Sequence, residues 1–337
     1  MIISYESLEN ECINLFCKIG CSKDVATKTI NAILLAEACG VYSHGVRMLP
    51  AHALRILRGG YCINEEIEKE LETPSIARFN CKNQIGMVSA TDCMQYAISR
   101  AKQVGVFTVL ANHCNTFSAA FVYALQAARQ GMLGFVMCNS PAQMAPWGGK
   151  TKLLGTNPMA YAVPAKQNNP ILFDMATSVV AKSKINQAKE RGETIPGGWA
   201  LDVNGNPTID PNEAVKGFIL PIAGAKGYGL TMMIDVFAGL LSNAQYLDGV
   251  GRFYGNSGQE MNVGHCFIAI DPKVIFGYDF YEKVDEYINR IHASEKVDMH
   301  GVFVPGDRKF RNFSHCKQYG FEISDELWNE LNEIVEK

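Results

Sequence analysis

The stretch Ala36–Gly60, AEACGVYSHGVRMLPAHALRILRGG, decides how the N-terminal part of the chain folds. A helical run of small and apolar residues ends at Gly40, and Pro50 opens a second helix that ends at a pair of glycines. Proline in the first turn and glycine after the last turn are typical of helix ends. The loop between these helices presents His44 next to Ser43. Because imidazole titrates near neutral pH and a hydroxyl can orient it, His44 is a candidate proton donor, with a purely structural histidine as the alternative.

The residues before this stretch extend the helical pattern toward the N-terminus. Apolar residues at helical spacing predict a helix over 5–19, and Ser22 is the expected N-cap of the helix that closes at Gly40. Residues 1–60 are therefore predicted to form a small helical module. The charged segment Asn64–Glu72 indicates a solvated connection, and Thr73-Pro74 marks a candidate boundary.

From about Ile76 the chain alternates between helical and strand-like patterns, which favours an α/β or mixed α+β core. The predicted helices are Gly86–Val104, the run from Phe121 to Ala128, Val179–Glu190, Gly229–Leu241, and Asp325–Val335 with Ser324 as its cap. The predicted strands are Val106–Leu110, Leu133–Cys138, Met159–Val163, Ile171–Asp174, Cys266–Ile270 and Val302–Val304.

Length, charge and cysteine usage exclude several classes of protein. A chain of 337 residues is expected to form two or three domains or subdomains, and a net charge of −3 gives no electrostatic reason to expect nucleic acid or an anionic membrane as partner. No apolar run reaches the roughly 18 residues of a membrane span. Eleven cysteines without CxxC pairs or zinc-like spacing, and an N-terminus without a signal-sequence pattern, indicate free thiols in a reducing cytoplasm and no metal site.

The usual nucleotide-binding fingerprints are missing from this sequence. No GxGxxG follows a predicted strand, so a standard Rossmann turn is not supported. Gly149-Lys150-Thr151 is similar to the end of a P-loop, but the required first glycine falls at Met144, which excludes that motif. The segment Asn139–Pro158 is too rich in glycine and proline for regular structure. It is either a packed Ω-loop over a domain seam or a wall of a ligand pocket.

Three other segments suit an anionic ligand. Asp174–Ser178 stands where a strand is predicted to give way to a helix, whose free N–H groups would suit a phosphate, although plain capping of that helix is the alternative. Gly224–Gly229 combines three glycines and Lys226 at the start of an apolar helix, which is the best anion site in the chain. Pro305–Arg308 follows a predicted strand and is either a turn or a contact to a ribose and a phosphate.

Two further histidines lie near predicted strands. His113 is expected just after a strand, in a loop of the kind that often carries chemistry. His265 is expected to be a satisfied histidine at the start of a strand. No two histidines have the spacing of metal ligands.

Taken together, these segments resemble the malate/L-lactate dehydrogenase family, also called type 2 or sulfolactate dehydrogenase-like, whose members include ureidoglycolate dehydrogenase and 2,3-diketogulonate reductase. The resemblance covers nearly the whole chain, and so many blocks in one order make it highly specific. The blocks are Tyr42–Pro50, Ala145–Pro158, Asp174–Val180, Glu193–Pro207, Lys226–Gly229, Val263–Pro272 and Pro305–Arg308.

The resemblance implies a cytoplasmic homodimer with a non-Rossmann, NAD(P)-binding α/β fold. A helical N-terminal module, 1–73, would pack with the C-terminal segment 276–337, and 74–275 would form the cofactor-binding domain. The implied reaction is reversible hydride exchange between the nicotinamide and a small 2-keto or 2-hydroxy acid. The family's proton-donating histidine corresponds to His44, with Ser43 to hold it. The implied cofactor contacts are Asp174, Met175, Ala176, Thr177, Ser178, Ala225, Lys226, Pro305, Gly306 and Asp307.

The chain departs from the family pattern around the expected substrate. The family usually has arginine two residues before the proline of the SHG block, but Met48 stands there, with Arg47 one place earlier, and a common tyrosine is replaced by His52. A second family histidine, in an NHxG segment, matches His113 on the NH pair, whereas alignment from the following helix places that site near Thr116. Arg47, His52 and Thr116 are therefore the predicted substrate contacts, and His113 is a further catalytic candidate.

Two other functions remain open at this point. A cyclic imine reductase on the same scaffold would act on a ring imine and not on keto acids, and a non-catalytic dinucleotide-binding protein would bind the cofactor without turnover. The preference for NAD or NADP is also open. Asp307 favours a ribose hydroxyl over a 2′-phosphate, but the neighbouring Arg308 and Lys309 weaken that argument.

Overall fold

The computed structural model describes residues 2–255, 258–297 and 299–336, and its centre is a seven-stranded sheet. A two-stranded and a three-stranded sheet lie outside it. This mixed α/β architecture confirms the predicted fold class. The strands are β1 (Ile2–Ile3), β2 (Glu68–Glu72), β3 (Ile76–Asn80), β4 (Val106–Cys114), β5 (Leu133–Cys138), β6 (Met159–Val163), β7 (Ile171–Met175), β8 (Ala200–Leu201), β9 (Pro207–Thr208), β10 (Phe218–Ile219), β11 (Val263–Ile270) and β12 (Phe321–Glu322).

Helices cover both faces of the large sheet and form the N-terminal part of the chain. A π-helical turn, Asp235–Leu240, continues one of them, and 3₁₀ turns occupy Tyr42–His44, Val46–Met48 and Leu247–Gly249. The helices are α1 (Tyr5–Lys18), α2 (Lys23–Ala38), α3 (Leu49–Leu57), α4 (Gly86–Val104), α5 (Phe121–Ala128), α6 (Lys182–Arg191), α7 (Pro211–Lys216), α8 (Ala225–Ile234), α9 (Pro272–Ile275), α10 (Asp279–His292), α11 (Asp307–Tyr319) and α12 (Asp325–Glu336).

A strand from late in the chain holds the centre of the large sheet. The spatial order is β2-β3-β4-β11-β5-β6-β7, so β11 inserts between β4 and β5 and pairs with both in antiparallel fashion. His265 of β11 stands opposite Ala111 on one side and Cys138 on the other. Helices α4 and α5 pack on one face in an alanine-rich core, and Ile234 of α8 packs with Cys266 on the other. With both faces covered, β11 is an almost continuous apolar run.

The N-terminal helices share a core with the end of the chain. Ser4 and Ser22 cap α1 and α2, accepting hydrogen bonds from backbone N–H groups three residues on, at 3.1 and 3.3 Å. Strand β1 pairs with β12, and Phe321 and Leu331 are buried in the same apolar cluster as α1 to α3. The two helices predicted before Gly40 are therefore confirmed. The domain boundaries themselves stay a prediction.

The prediction for the charged segment before Thr73 was wrong in part. Its second half is β2, which pairs with β3 at the open edge of the large sheet. All five residues of β2 are exposed. Charged side chains on an edge strand discourage pairing with other chains, which explains why a strand here has the composition of a solvated connection.

Two other predictions differ from the structure in their boundaries or type. Residues 302–304 are not a strand but an irregular segment that leads into α11. The helix predicted from Val179 begins only at Lys182, because another segment holds the chain before it: Val179 N–H donates to the Leu220 carbonyl at 2.9 Å. Conversely, the helix predicted from Gly229 begins four residues earlier, at Ala225.

Neither a membrane-spanning helix nor a metal-binding cluster occurs among the described residues. None of the helices in these parts of the chain combines the length and apolarity that a membrane span requires. Nor do three histidine, cysteine, aspartate or glutamate side chains come together there in a group suited to a metal ion.

Candidate active site

His44 lies in the 3₁₀ turn between α2 and α3, within the loop that the sequence singles out. Ser43 Oγ and His44 Nδ1 are 2.9 Å apart, so the hydroxyl can hold the ring and leaves Nε2 to exchange a proton. The ring is half-buried, and burial lowers the pKa of His44 from its ordinary value. The imidazole is therefore predominantly neutral at pH 7 in the free protein.

A buried carboxylate at the end of α2 fixes the shape of this loop. Val46 N–H donates to Glu37 Oε2 at 3.0 Å. Burial raises the pKa of Glu37, while this hydrogen bond and the nearby Arg47 oppose the shift. Gly45 packs directly on the same side chain, since a Cβ added to it would overlap Glu37 Oε2 and stand 3.0 Å from Glu37 Cα. The glycine after His44 is thus required by close packing.

Two segments from elsewhere in the chain also contact the loop. Ser118 Oγ donates to the His44 carbonyl at 2.7 Å. The hydroxyl of Tyr254 donates to Met48 Sδ at 3.0 Å. Burial raises the pKa of Tyr254, and the positive charge of Arg47 opposes this shift. The exposed Arg47 guanidinium therefore lies beside this tyrosine. Arg47 is therefore accessible to an anion near His44.

The two positions considered for a second catalytic histidine differ in their surroundings. His113 lies within β4, not after it as predicted, and has φ +49. Its ring is already engaged, since Nδ1 lies 2.6 Å from Glu260 Oε1. Thr116 is half-buried, and its carbonyl packs against the backbone at Gly86, where a Cβ would overlap it. Thr116 is two residues before Ser118 and so belongs to the segment that contacts the His44 loop.

His52, a predicted substrate contact, is buried in this structure and 1% exposed. Its Nδ1 lies 2.8 Å from the hydroxyl of Tyr61, and burial lowers the pKa of His52 to about 3, with Arg55 adding to the shift. Arg55 is equally buried and donates from Nη2 to Asn115 Oδ1 at 3.3 Å and to the carbonyl of Gln259. A direct contact between His52 and substrate stays a prediction.

The three segments predicted to bind the cofactor meet at β7, the edge strand of the large sheet. Leu172 N–H donates to the Pro305 carbonyl at 2.7 Å, and Ile222 N–H donates to the Thr177 carbonyl at 2.9 Å. Gly306 has φ +109 and lies so close to β7 that an added Cβ would stand 2.9 Å from Leu172 Cβ. Residues more than a hundred positions apart are thereby gathered in one place.

The segment Asp174–Ser178 is not a helix N-terminus, so the expected capping by Thr177 or Ser178 was wrong, while its contact with the cofactor stays a prediction. Thr177 caps no helix: its N–H donates to the Thr156 carbonyl at 2.9 Å and its Oγ1 to the Asn157 carbonyl at 3.1 Å. The ionisable side chain of this segment is Asp174, and its carboxyl is half-buried. Burial raises its pKa to about 6, although Lys309 opposes the shift.

The start of α8 has the features from which the sequence predicts a phosphate site. Gly224, at φ +62, is the N-cap. Because glycine has no side chain to accept their hydrogen bonds, the N–H groups of the first turn stay available. Lys226 is exposed in that turn. Free N–H groups, the positive end of the helix dipole and a lysine together fit the phosphates of a dinucleotide.

The glycine- and proline-rich segment before β6 is both a packed loop and a pocket wall. Met144 and Leu154 pair in a short bridge and are buried. Trp147, in contrast, is 56% exposed, and its ring lies 3.1 Å from the position of a Cβ on Gly224. Residues of this loop and of β10 line a cleft of about 440 Å³ next to α8. The segment is therefore packed in one part and lines a cleft in another, and ligand binding in that cleft stays a prediction.

Asp307 is the first residue of α11, and its carboxylate is engaged within the protein. Its Oδ2 accepts a hydrogen bond from Val304 N–H at 2.8 Å and lies 2.7 Å from His292 Nε2. Asp307, His292 and Arg311 border a cleft of about 350 Å³. A ribose or phosphate group in this cleft would meet an aspartate–histidine pair rather than a free carboxylate.

Helix α11 connects the cofactor segments with the His44 loop. At its start, Lys309 lies close enough to Asp174 to influence the pKa of that carboxyl. One turn later, the Asn312 side chain lies against Gly40, the residue that ends the α2 region. Residues three apart are about 4.5 Å apart along a helix axis. The loop of His44 and the carboxyl end of β7 are therefore neighbours.

Comparisons with known proteins agree with this geometry. The family model for malate/L-lactate dehydrogenase matches residues 3–332. Malate/(S)-sulfolactate dehydrogenase from Methanothermus fervidus is 37% identical over 338 residues, which is 100% of this chain and 98% of that protein. Ureidoglycolate dehydrogenase (NAD(+)) from Escherichia coli O157:H7 is 33% identical, with 98% and 95% covered. The solved sulfolactate dehydrogenase from Methanocaldococcus jannaschii matches with a TM-score of 0.93 at 34% identity, covering 100% of this chain and 97% of that one.

The fold and these comparisons define an NAD(P)-dependent oxidoreductase whose fold is not of the Rossmann type. The chain belongs to the malate/L-lactate dehydrogenase family, which confirms the resemblance. The protein is therefore an NAD(P)-dependent dehydrogenase of 2-hydroxy acids, as predicted for its enzyme class and cofactor.

Several residues that shape the site were not found from the sequence. Glu37 and Asn312 give no local signal, because their importance comes from contacts with Gly45 and Gly40 that only the folded chain creates. Arg55 gave a weak signal, as an arginine on the apolar face of a helix that the sequence places after Pro50. A charged residue on a buried face indicates a polar network inside the protein.

Proposed function

We propose that the protein interconverts a small 2-keto acid and the corresponding 2-hydroxy acid, with NAD or NADP as cofactor and His44 as proton donor and acceptor. The observation that carries this proposal is the position of α11. Its first two turns lie near Asp174 through Lys309 and against Gly40, four residues before His44, through Asn312. A hydride donor and a proton donor must reach the same carbonyl, and this arrangement allows both to do so.

In the proposed reaction the bound dinucleotide supplies or takes up a hydride at the substrate carbon. His44 Nε2 gives a proton to the carbonyl oxygen during reduction and takes it back during oxidation. Ser43 holds the ring through Nδ1, at 2.9 Å, and so keeps Nε2 directed at the substrate. Arg47 binds the carboxylate beside the reacting carbonyl, because its guanidinium is exposed at the edge of the same loop.

Other residues of the chain hold the dinucleotide. Lys226 and the uncapped first turn of α8 bind its phosphates, and the segments at Asp174–Ser178 and Pro305–Asp307 form the rest of the site. Thr116, at the end of the segment that contacts His44 through Ser118, borders the substrate. His113 is a weaker catalytic candidate, since Glu260 already engages its ring.

A panel of 2-keto acids, each assayed with NADH and with NADPH, tests this function. We expect reduction of at least one keto acid, with a clear preference for one cofactor. Turnover of a cyclic imine such as Δ1-piperideine-2-carboxylate without turnover of any keto acid would contradict the proposal in favour of an imine reductase. Tight cofactor binding without any turnover would contradict it in favour of a non-catalytic dinucleotide-binding protein.

We also propose that the protein acts as a homodimer, with the second copy seated on α8 and the π-helical turn after it. Apolar side chains there are strongly exposed for a water-facing helix: Leu230, Val236, Phe237, Leu240 and Leu241 are 38%, 44%, 40%, 50% and 53% exposed. A contiguous apolar surface of this kind marks an interaction site. Since α8 begins with Ala225 and Lys226, dimer formation would also brace the cofactor site.

The cytoplasm is the compartment that we propose for this enzyme. All eleven cysteines carry free thiols, and most of them are buried. Burial raises the pKa of Cys12 and of Cys266 to about 12, so these thiols stay protonated and unreactive. A reducing compartment suits a chain with this many unpaired cysteines.

A further inference from the structure

Ser118 has an unusual backbone conformation for a buried residue close to His44. Its φ is +67, in the left-handed region that residues other than glycine seldom occupy. Ser118 is only 8% exposed, so this conformation does not belong to an ordinary surface turn. A strained backbone of this kind persists where the surrounding contacts impose it, and such positions are concentrated at functional sites.

The residue before Ser118 is anchored in the core. The Phe117 ring stacks on the ring of Tyr123, with 5.0 Å between the centroids, and on that of His265, with 4.5 Å. The Tyr123 hydroxyl also donates to the Phe117 carbonyl at 2.5 Å. All three rings are buried, and His265 belongs to the central strand β11. These contacts fix the peptide that leads into Ser118.

The residues after Ser118 lead directly into α5. Ala119 and Ala120 are both buried, and the Ala119 carbonyl already accepts a hydrogen bond from Val122 N–H at 3.2 Å. The chain therefore changes from the anchored Phe117 to a helical course within three residues. The left-handed conformation at Ser118 is part of this change of direction.

The side chain of Ser118 gives a reason for a serine at this position. Glycine would adopt the same φ without strain, so the backbone alone does not call for a hydroxyl group. The Ser118 Oγ donates to the His44 carbonyl at 2.7 Å, across 74 positions of the sequence. The hydroxyl therefore ties the loop of His44 to a point that the aromatic core holds in place.

We propose that Ser118 is a positioning residue, whose strained backbone presents its hydroxyl to the His44 carbonyl and thereby sets the position of the imidazole. This inference rests on the proposed function and deepens it, because Ser118 acts on proton transfer through His44. The carbonyl and the ring belong to one residue, so a shift of the main chain moves Nε2 as well. A displacement of about 1 Å in a catalytic group can lower a rate roughly 10²-fold.

The variants Ser118→Ala and Ser118→Gly separate positioning from stability. Both remove the hydroxyl, but only glycine relieves the strain at φ +67. The thermal unfolding midpoint of the glycine variant should therefore lie about 1–3 °C above that of the alanine variant. In contrast, kcat should fall about 10- to 100-fold in both, with the dissociation constant of the cofactor unchanged. A glycine variant with the wild-type kcat would overturn the proposal.

Asn243→Gly is the matched control for relief of a left-handed backbone. Asn243 is exposed and has nearly the same φ, +66. This variant should keep the wild-type kcat. A loss of turnover equal to that of Ser118→Gly would overturn the proposal, since relief of strain at an unrelated position would then have the same effect.

A double-mutant cycle tests whether Ser118 acts through His44. When His44→Gln has already removed the proton donor, Ser118→Gly should lower the single-turnover rate by no more than about 2-fold, because the two residues act as one unit. An equal further loss in both backgrounds would overturn the positioning role.

Hydrogen exchange over residues 41–48 separates this inference from the proposed function, because it requires no substrate. Loss of the hydrogen bond from Ser118 should speed exchange in this segment about 10-fold in Ser118→Gly, and Asn243→Gly should exchange at the wild-type rate. Failure to reduce any keto acid would overturn only the proposed function, and the exchange rates would still decide whether Ser118 holds the loop. Unchanged exchange over residues 41–48 in Ser118→Gly would overturn the positioning role.

Discussion

Three side chains hold His44 and its loop in place. Ser43 contacts its ring, Ser118 binds its carbonyl, and Glu37 fixes the next turn through Val46. Only the first of these contacts is local in sequence. The others place a half-buried imidazole at a fixed position, and a catalytic group must be held within a fraction of an ångström to be effective.

Replacing Gly45 by alanine tests this support at the scale of one residue. The new methyl group would overlap the carboxylate of Glu37, so the side chain must move and Val46 N–H loses its buried acceptor. We expect a loss of about 1–3 kcal/mol in the free energy of unfolding, measured by urea denaturation, together with reduced turnover. Gly197→Ala, where a Cβ meets nothing within 4 Å, is the control. Equal stability of the two variants would show that Glu37 does not support the loop.

At the scale of elements, Arg55 joins three parts of the site. From α3 it reaches Asn115, in the segment that leads to Ser118, and the carbonyls of Phe253 and Gln259. It is 1% exposed, and among the described residues no carboxylate pairs with it. Its hydrogen bonds therefore hold the segment that carries Arg252 and Tyr254 against the helix that follows His44.

Arg55→Met removes these hydrogen bonds and leaves the buried side-chain oxygen of Asn115 and two partly buried backbone carbonyls without this donor. The methionine keeps much of the volume, so the expected cost arises mainly from the lost hydrogen bonds. We expect about 1–3 kcal/mol of lost stability and faster proteolytic cleavage next to Phe253 and Gln259. Arg290→Met, at a position whose side chain is 80% exposed, should change neither property. Cleavage of this segment at the wild-type rate would mean that Arg55 does not tether it.

Elements with a strong local pattern could be predicted, and those defined by distant partners could not. Helix α4 and strands β5 and β6 have the predicted boundaries because their periodicity and end residues lie within the element itself. The position of β11 between β4 and β5, and the bridge that α11 forms, depend on chain reversals that no local pattern encodes. The exposed edge strand β2 was missed for the same reason, since its pairing with β3 outweighs its charged composition.

The candidate site could be predicted in part for a similar reason. Residues with a chemical signature of their own, such as His44, Lys226 and Gly306, are visible in the sequence and lie at the gathered segments. The course of the chain after Asp174 was not foreseen, because hydrogen bonds to Thr156 and Leu220 replace the expected helix.

At the scale of the whole molecule, two buried histidines link stability to pH. Burial lowers the pKa of His52 and of His265 to about 3, whereas the unfolded chain takes up these protons near the ordinary value of 6.5. The unfolded state therefore binds more protons below pH 6.5. The two neutral histidines make their full contribution to the free energy of unfolding above pH 6.5. This contribution is lost as the pH falls, by about 1.4 kcal/mol per pH unit for each histidine.

The variant His265→Asn checks this linkage, because asparagine does not titrate. Between pH 7 and pH 5 the free energy of unfolding of wild type should fall by about 2 kcal/mol more than that of the variant. The difference between the two proteins matters here, since buried carboxyls such as Glu37 and Asp174 have raised pKa values and act in the opposite direction. Parallel pH profiles of wild type and variant would contradict the account of His265.

The proposed dimer surface is also a property of the whole molecule. Phe237→Asp or Leu241→Asp puts a charge in the middle of the apolar face of the π-helical turn and should convert a dimer into monomers. Sedimentation velocity measures this directly. Ile275→Asp, at a residue that is 67% exposed on α9, should remain dimeric. A monomeric wild-type protein, or dimers that persist in both variants, would rule out this interface.

The measurement that tests the central claim most directly is single-turnover reduction by His44→Gln, with cofactor affinity measured separately by fluorescence titration. Glutamine can still donate a hydrogen bond but cannot transfer a proton at this step. The account predicts that the rate of keto acid reduction falls about 10²- to 10⁴-fold while the dissociation constant of the cofactor stays the same. Reduction at close to the wild-type rate would contradict it and remove His44 from the chemistry.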